Sequence, residues 1–184
     1  TEYSDGTKWV TKDSLETERY ILDTVKSSQN ILPSLVSPKQ ADEFLVNNTK
    51  LKTGQKDSIY LIATTPDRFV AVQGFAGTGK STMLSQGTDL IDGIKAIDQK
   101  EPVNFVGLAP THSAVKELQD KGIQAQTFQS LLTDFKKNGT NPSQDNSVYF
   151  LDESSMTSNA QVKSFIQFIE STNNSRAVLL GDTK

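Results

Sequence analysis

The sequence contains no cysteine. That excludes disulfides, cysteine-ligated zinc and thiol redox chemistry. Its single histidine, His112, argues against a histidine metal cluster or a histidine-based triad. No apolar run approaches the roughly 18 residues of a membrane span, and no stretch has the order of a secretion signal, so the expected location is the cytoplasm with no membrane insertion. Basic residues are in slight deficit: 19 Lys and Arg stand against 22 Asp and Glu, giving a net charge of −3. There is no global basic field, and any contact with nucleic acid would be confined to a local groove. An Asn-Lys-x-Asp base-reading motif of the GTPase kind is missing. So is the late arginine-rich lid of many small-molecule kinases, because the one late arginine is Arg176. No internal repeat is present.

What remains is an ordinary globular mixture, 35% hydrophobic and 22% charged over 184 residues. A chain of that length can bury roughly 70% of its unfolded surface. Residues 1–8 are polar and expected to fray. Residues 11–29 follow a helical period with Leu15, Leu22 and Val25 on one stripe, opened by Asp13 and Glu16 as a capping box. Ser37 is placed to cap a second helix, with Pro38 at its first position, Gln40 at its third and an end near Asn47 and Asn48. Residues 52–66 predict a third helix capped by Thr53 and stopped before Pro66.

After residue 66 the pattern changes. Apolar runs at 68–74, 103–110, 148–154 and 177–182 predict four buried strands. Helical segments alternate with them at 80–98, 112–122, 127–137 and 160–172, and Phe128, Leu131, Leu132 and Phe135 share one face. Strands alternating with helices predict an α/β fold with a parallel sheet covered on both faces. The division expected is a helical segment over residues 1–65 and a sheet domain over 66–184.

One loop carries the chemistry. "GFAGTGKST", residues 74–82, matches Gly-x-x-x-x-Gly-Lys-Ser through Gly74, Gly79, Lys80 and Ser81, with a strand before it and a helix after it. Glycines there let successive backbone N–H groups aim at phosphate oxygens, and the helix adds roughly half an elementary positive charge at its start. Lys80 can reach the β- and γ-phosphates, and the Ser81 hydroxyl can ligate Mg²⁺. Asp152 and Glu153 end the apolar run "VYFLDES", at the strand ends where parallel α/β sheets bind ligands. Asp152 suits a magnesium ion, and Glu153 suits proton abstraction from an attacking water.

The order of the segments "VQGFAGTGKSTML", "VGLAPTHSAVKEL", "IQAQTFQSLL", "FLDESSM" and "RAVLLGD" resembles motifs I, Ia, Ib, II and the start of III of superfamily 1 helicases in their RecD-like form. It is most similar to the helicase region of TraI-type conjugative relaxase–helicases, over about residues 9–184. The resemblance implies a RecA-like P-loop domain that binds ATP and Mg²⁺. It implies that Gln55, in "LKTGQKDSIYLI", reads the adenine edge, and that Gly77, Thr78, Gly79, Lys80, Ser81 and the adjoining Thr82 form the nucleotide loop. Pro110, Thr111 and His112 match the segment that touches the backbone of single-stranded DNA, and Thr127 and Phe128 match the next. The apolar stripe around Phe128 favours a core role for that ring, His112 suits a helix start, and Trp9 suits an anchor for the first helix.

The third motif normally continues with a glutamine, which would follow Lys184. The expectation is therefore a piece of a larger enzyme, with a second motor domain downstream and a tyrosine relaxase domain upstream, working with conjugation machinery proteins in plasmid transfer. The piece alone is expected to hydrolyse ATP poorly. The alternative is a nucleotide-binding or docking module without motor activity.

Overall fold

The run Ser147–Leu151 is buried at every position, and its side chains divide between two cores: Val148 and Phe150 enter one, Tyr149 and Leu151 the other. A strand with that pattern has to lie inside a sheet that carries helices on both faces. The computed structural model describes residues 2–4, 9–75, 79–98 and 100–183. It contains β1 (Glu2–Ser4), β2 (Trp9–Thr11), α1 (Lys12–Ser27), α2 (Pro38–Asn47), α3 (Thr53–Thr64), β3 (Phe69–Phe75), α4 (Lys80–Ile97), β4 (Asn104–Ala109), α5 (His112–Gln119), β5 (Gln124–Thr127), α6 (Phe128–Asn138), β6 (Ser147–Leu151), α7 (Asn159–Glu170) and β7 (Arg176–Thr183). The main sheet has the order β3-β7-β6-β4-β5, and every neighbouring pair is parallel. All five strands therefore present their C-terminal ends at one edge.

On one face, α2, α3, α4 and α5 bury Val70, Val72, Val148, Phe150, Val178 and Leu180. On the other, α1, α6 and α7 cover Phe69, Val106, Leu108, Tyr149, Leu151 and Ala177. The second core is aromatic. Phe128 meets Phe165 edge-to-face at 5.4 Å, and Phe168 meets Tyr149 at 5.1 Å and Phe135 at 5.5 Å in the same manner. The early helices thus pack on both sides of the sheet. Arg176, at the opposite edge from the strand tips, holds them there: its Nη1 donates to the Thr65 carbonyl at 2.8 Å and its Nη2 to the Pro33 carbonyl at 2.7 Å. Burial pushes its guanidinium down to about 10. No helix among the described residues is long and apolar enough to cross a membrane.

Several local expectations are corrected. The cap of α1 is Thr11, whose hydroxyl accepts from Ser14 N at 3.2 Å, and not the Asp13–Glu16 pair. Its inward face carries Tyr20, Ile21, Thr24 and Val25, while Leu22 is 69% exposed and Leu15 39%. Periodicity identifies residues that share a face; it does not say which face meets a partner. Here α7 decides, because the Tyr20 hydroxyl donates to Glu170 at 2.8 Å and Asn159 donates to Glu18 at 3.0 Å. Thr53 is the first residue of α3 and not its cap; Gln55 Oε1 accepts from Lys52 N at 3.0 Å instead. Glu2–Ser4, expected to fray, pairs antiparallel with Trp9–Thr11. A fifth strand of the main sheet, β5, had no apolar run to announce it: "QAQT" sits at the sheet edge, paired only with β4.

Tyr149 provides a test of this packing. It is buried, its hydroxyl donates to the Gln144 carbonyl at 3.3 Å, and burial pushes its phenol up to about 12. A phenol whose folded pKa lies above its unfolded value of about 10 stabilises fully below pH 10 and loses that contribution as pH rises towards 12. Urea unfolding between pH 9 and 11.5 should show stability falling by an amount on the order of 2 kcal/mol. Tyr149→Phe should flatten the slope; an unchanged slope would place the titration elsewhere.

Candidate nucleotide site at the strand tips

The residues singled out in the sequence meet along one edge of the sheet because each follows a parallel strand. Gly74 lies at the end of β3, in register with Asp182 of β7. Asp152 and Glu153 follow β6, Pro110 to His112 follow β4, and Thr127 closes β5. Gly77 and Thr78 lie outside the described residues. One strand, β7, runs between β3 and β6. With neighbouring strands about 4.8 Å apart, the phosphate-loop strand and the acidic strand are separated by roughly 10 Å.

Gly79 has φ 75° and ψ 41°, the left-handed region that glycine adopts without steric cost. It precedes the 18-residue α4, and a Cβ there would stand 3.2 Å from Gln55 Nε2. Gln55 Nε2 donates to the Gly79 carbonyl at 3.3 Å, while its Oε1 caps α3. The amide assigned to the adenine edge therefore fastens α3 to the phosphate loop. No acidic side chain of α4 itself sits in its first turn, so the helix's own residues do not offset its positive end. Lys80 is half-buried at the helix start. The Ser81 hydroxyl donates to Glu117 Oε1 at 3.4 Å, and Thr82 Oγ1 accepts from Lys121 Nζ at 3.1 Å.

The acidic tip is held from three sides. Asp152 N donates to the Leu108 carbonyl of β4 at 2.9 Å, and Asp152 Oδ1 accepts from Glu153 N at 2.9 Å. Glu153 has φ 51° and ψ 38°, an uncommon conformation for a non-glycine residue and one that persists only when its surroundings enforce it. Ser154 Oγ completes the clamp by donating to the Leu180 carbonyl of β7 at 3.0 Å. Asp152 and Glu153 are both half-buried.

Pro110, Thr111 and His112 are exposed; the Thr111 hydroxyl caps α5 by accepting from Ala114 N at 3.2 Å, and His112 is the first residue of that helix. Thr127 caps α6 in the same way, accepting from Ser130 N at 3.2 Å. Phe128 is only 4% exposed and packs on Phe165, so it belongs to the core. A groove of about 880 Å³ between α6 and α7 is lined by residues such as Gln129, Lys136 and Gln161, and none of the residues above lines it.

Among the described residues no three acidic or histidine side chains gather as a metal cage. The donors at this edge, a serine hydroxyl and an aspartate, match magnesium in another mode. Mg²⁺ takes one or two protein oxygens and fills its remaining positions with water and substrate phosphate. The residues present fit a magnesium nucleotide. Glu117 and Lys121 were missed in the sequence: Glu117 lies inside the quoted segment "VGLAPTHSAVKEL" but the segment gives it no role, and Lys121 lies beyond it. Glu117 is in the last turn of α5 and Lys121 just beyond its cap Asp120, and only the packing of α5 beside α4 shows what they touch.

A wholly parallel sheet with a glycine loop opening α4 and an acidic pair at a strand tip defines a helicase-like α/β domain with a P-loop nucleoside triphosphatase fold. The chain belongs to the AAA domain family, whose model matches residues 50–184. It is 34% identical over 179 residues to the multifunctional conjugation protein TraI of Escherichia coli strain K12, an alignment covering 95% of this chain and 10% of that protein. Against the conjugal transfer protein TraA of Rhizobium radiobacter it is 28% identical over 148 residues, covering 80% and 12%. The chain thus spans about a tenth of the length of these relatives. Its fold is similar to that of the UvsW helicase from bacteriophage T4, with a TM-score of 0.57 and 14% identity over 82% of this chain and 62% of that one. The likeness to TraI implied by the motif order extends over nearly the whole chain.

Proposed function

We propose that this domain is the nucleotide-binding front part of an ATP-driven DNA motor within a conjugative relaxase–helicase. The observation that carries the reading is the shared edge: Gly79 with Lys80 and Ser81 at the start of α4, and the clamped pair Asp152–Glu153, stand two strands apart at the C-terminal tips of one parallel sheet. Lys80 and the amides at the start of α4 would hold the phosphates of ATP. Ser81 and Asp152 would hold Mg²⁺, which when bound neutralises phosphate charge. Glu153 would accept the proton of the attacking water. Gln55 keeps the loop and α3 together on the side where the base would lie. Pro110, Thr111 and His112 follow β4 and Thr127 closes β5 on the same edge, where helix starts, exposed at Thr111 and half-buried at Thr127, would offer amides and hydroxyls to the phosphates of single-stranded DNA. In this reading residues 66–184 form the motor core and residues 1–65 its helical flank. The remainder of a larger relaxase–helicase and conjugation machinery proteins are its partners, and the cytoplasm is its place.

Binding of Mg·ATP to the folded state is the test. At a hundred times its dissociation constant, ATP with Mg²⁺ should add about 2.7 kcal/mol of stability, a rise of about 5–10 °C in Tm for a chain of this length. Lys80→Ala should remove the rise. A melting scan without any rise in the native chain would refute the nucleotide site, and a rise that survives Lys80→Ala would move the ligand elsewhere.

A further inference from the structure

Three side-chain contacts tie the first two turns of α4 to α5 and the residue just beyond its cap. Ser81 Oγ donates to Glu117 Oε1 at 3.4 Å, Lys121 Nζ donates to Thr82 Oγ1 at 3.1 Å, and Ser85 Oγ donates to the Lys121 carbonyl at 3.1 Å. The apolar side of α5 is carried by Val115 and Leu118, which are buried, whereas Glu117 is exposed. Packing of the core therefore does not require a carboxylate at 117. What that carboxylate meets is the hydroxyl assigned to the metal.

A serine ligates a divalent cation through an oxygen lone pair, so its proton must point to some other acceptor. Groups behind a metal ligand commonly supply that acceptor and fix the ligand's orientation. We propose that Glu117 is the positioning residue for Ser81. It accepts the hydroxyl proton, leaves the lone pairs of Oγ to Mg²⁺, and places a negative charge behind the cation. A cation on Oγ draws electron density from the O–H bond and makes it a stronger donor, so the contact with Glu117 gains strength when the metal arrives. Lys121, one turn on, donates to Thr82 and steadies the helix start beside it. The inference rests on the reading of residues 74–81 as a Mg·ATP loop.

Calorimetric titration of the 184-residue chain with ATP, once with Mg²⁺ and once with EDTA, separates the two claims. The native chain should bind ATP more tightly with Mg²⁺ than with EDTA. Glu117→Ala should weaken the Mg²⁺ titration by about tenfold or more and leave the EDTA titration unchanged. Glu117→Gln, whose carbonyl oxygen still accepts the serine proton, should fall between the two. Adding Glu117→Ala to Ser81→Ala should cause no further loss, since the carboxylate acts through the hydroxyl. If Ser81→Ala loses the magnesium enhancement and Glu117→Ala keeps it, the positioning role is overturned while the nucleotide site stands. Equal losses in Mg²⁺ and EDTA for Glu117→Ala would also overturn it, by showing a merely structural contact. If the native chain binds ATP equally with and without Mg²⁺, the magnesium role of Ser81 fails and the inference falls with it; if Lys80→Ala binds as the native chain does, the nucleotide reading itself fails.

Discussion

Glu153→Gln in the full-length protein should lower ATP turnover by about 10²–10⁴-fold, the contribution of a positioned general base, while ATP affinity stays unchanged. Glutamine keeps the size of the side chain and its reach but cannot take a proton from water. The backbone should be unaffected, because the left-handed conformation of residue 153 is enforced by its neighbours: Met156 N donates to its carbonyl at 2.9 Å, and Ser154 is bonded to β7. A companion variant separates strain from chemistry. Glu153→Gly removes the Cβ that disfavours φ 51°, so it should raise stability by about 1 kcal/mol and still abolish turnover. Stability is checked by urea unfolding, turnover by phosphate release and affinity by calorimetry. Full turnover in Glu153→Gln would take the residue out of the base role.

The same residue shows where sequence reading succeeds and where it stops. An acidic pair at the end of an apolar run was visible in "VYFLDES", because burial on both faces writes itself as unbroken hydrophobicity. The cap formed by Ser37 and Gln40, with Pro38 at the first helical position, was equally visible, since the two capping residues bond only three positions apart. What could not be read were contacts between segments distant in the chain. The clamp of Ser154 on Leu180, the Arg176 bonds to Thr65 and Pro33, and the meeting of Ser81 with Glu117 all depend on which strand lies beside which. Strand order leaves no local trace. The edge strand β5 escaped for a related reason: half of its pairing and much of its apolar requirement are absent, so its four residues look like a loop. The inward face of α1 was misjudged because Leu15 and Leu22 are more apolar than Tyr20 and Thr24, yet the latter pair faces the protein.

Phe168→Ala should have the largest effect on stability. Its side chain has no exposed surface and lies between Tyr149 of the sheet, Phe135 of α6 and Phe165 on its own helix. Truncation removes the ring's transfer free energy and leaves a cavity that three rigid aromatic neighbours fill poorly. The expected cost is about 3–5 kcal/mol, a fall in Tm of about 6–20 °C. Leu22→Ala is the counterpart. Leu22 is the same kind of residue by composition, but it is 69% exposed on α1, and its loss should change stability by no more than about 0.5 kcal/mol. Denaturant unfolding of both variants checks the pair. Similar costs for the two would mean that the face of α1 is assigned wrongly.

The helix α5 has eight residues and is therefore a stiff rod about 12 Å long. Its leading end bears Thr111 and His112, and its trailing half leans on Ser81 through Glu117. On the proposed reading, DNA and nucleotide would grip opposite parts of this one lever, and their affinities are coupled to the extent that either ligand shifts it. By linkage, whatever factor an occupied leading end lends to nucleotide at the α4 start, nucleotide must return to the occupant of that end. A single short helix would then make fuel and track sense each other without any larger rearrangement of the sheet.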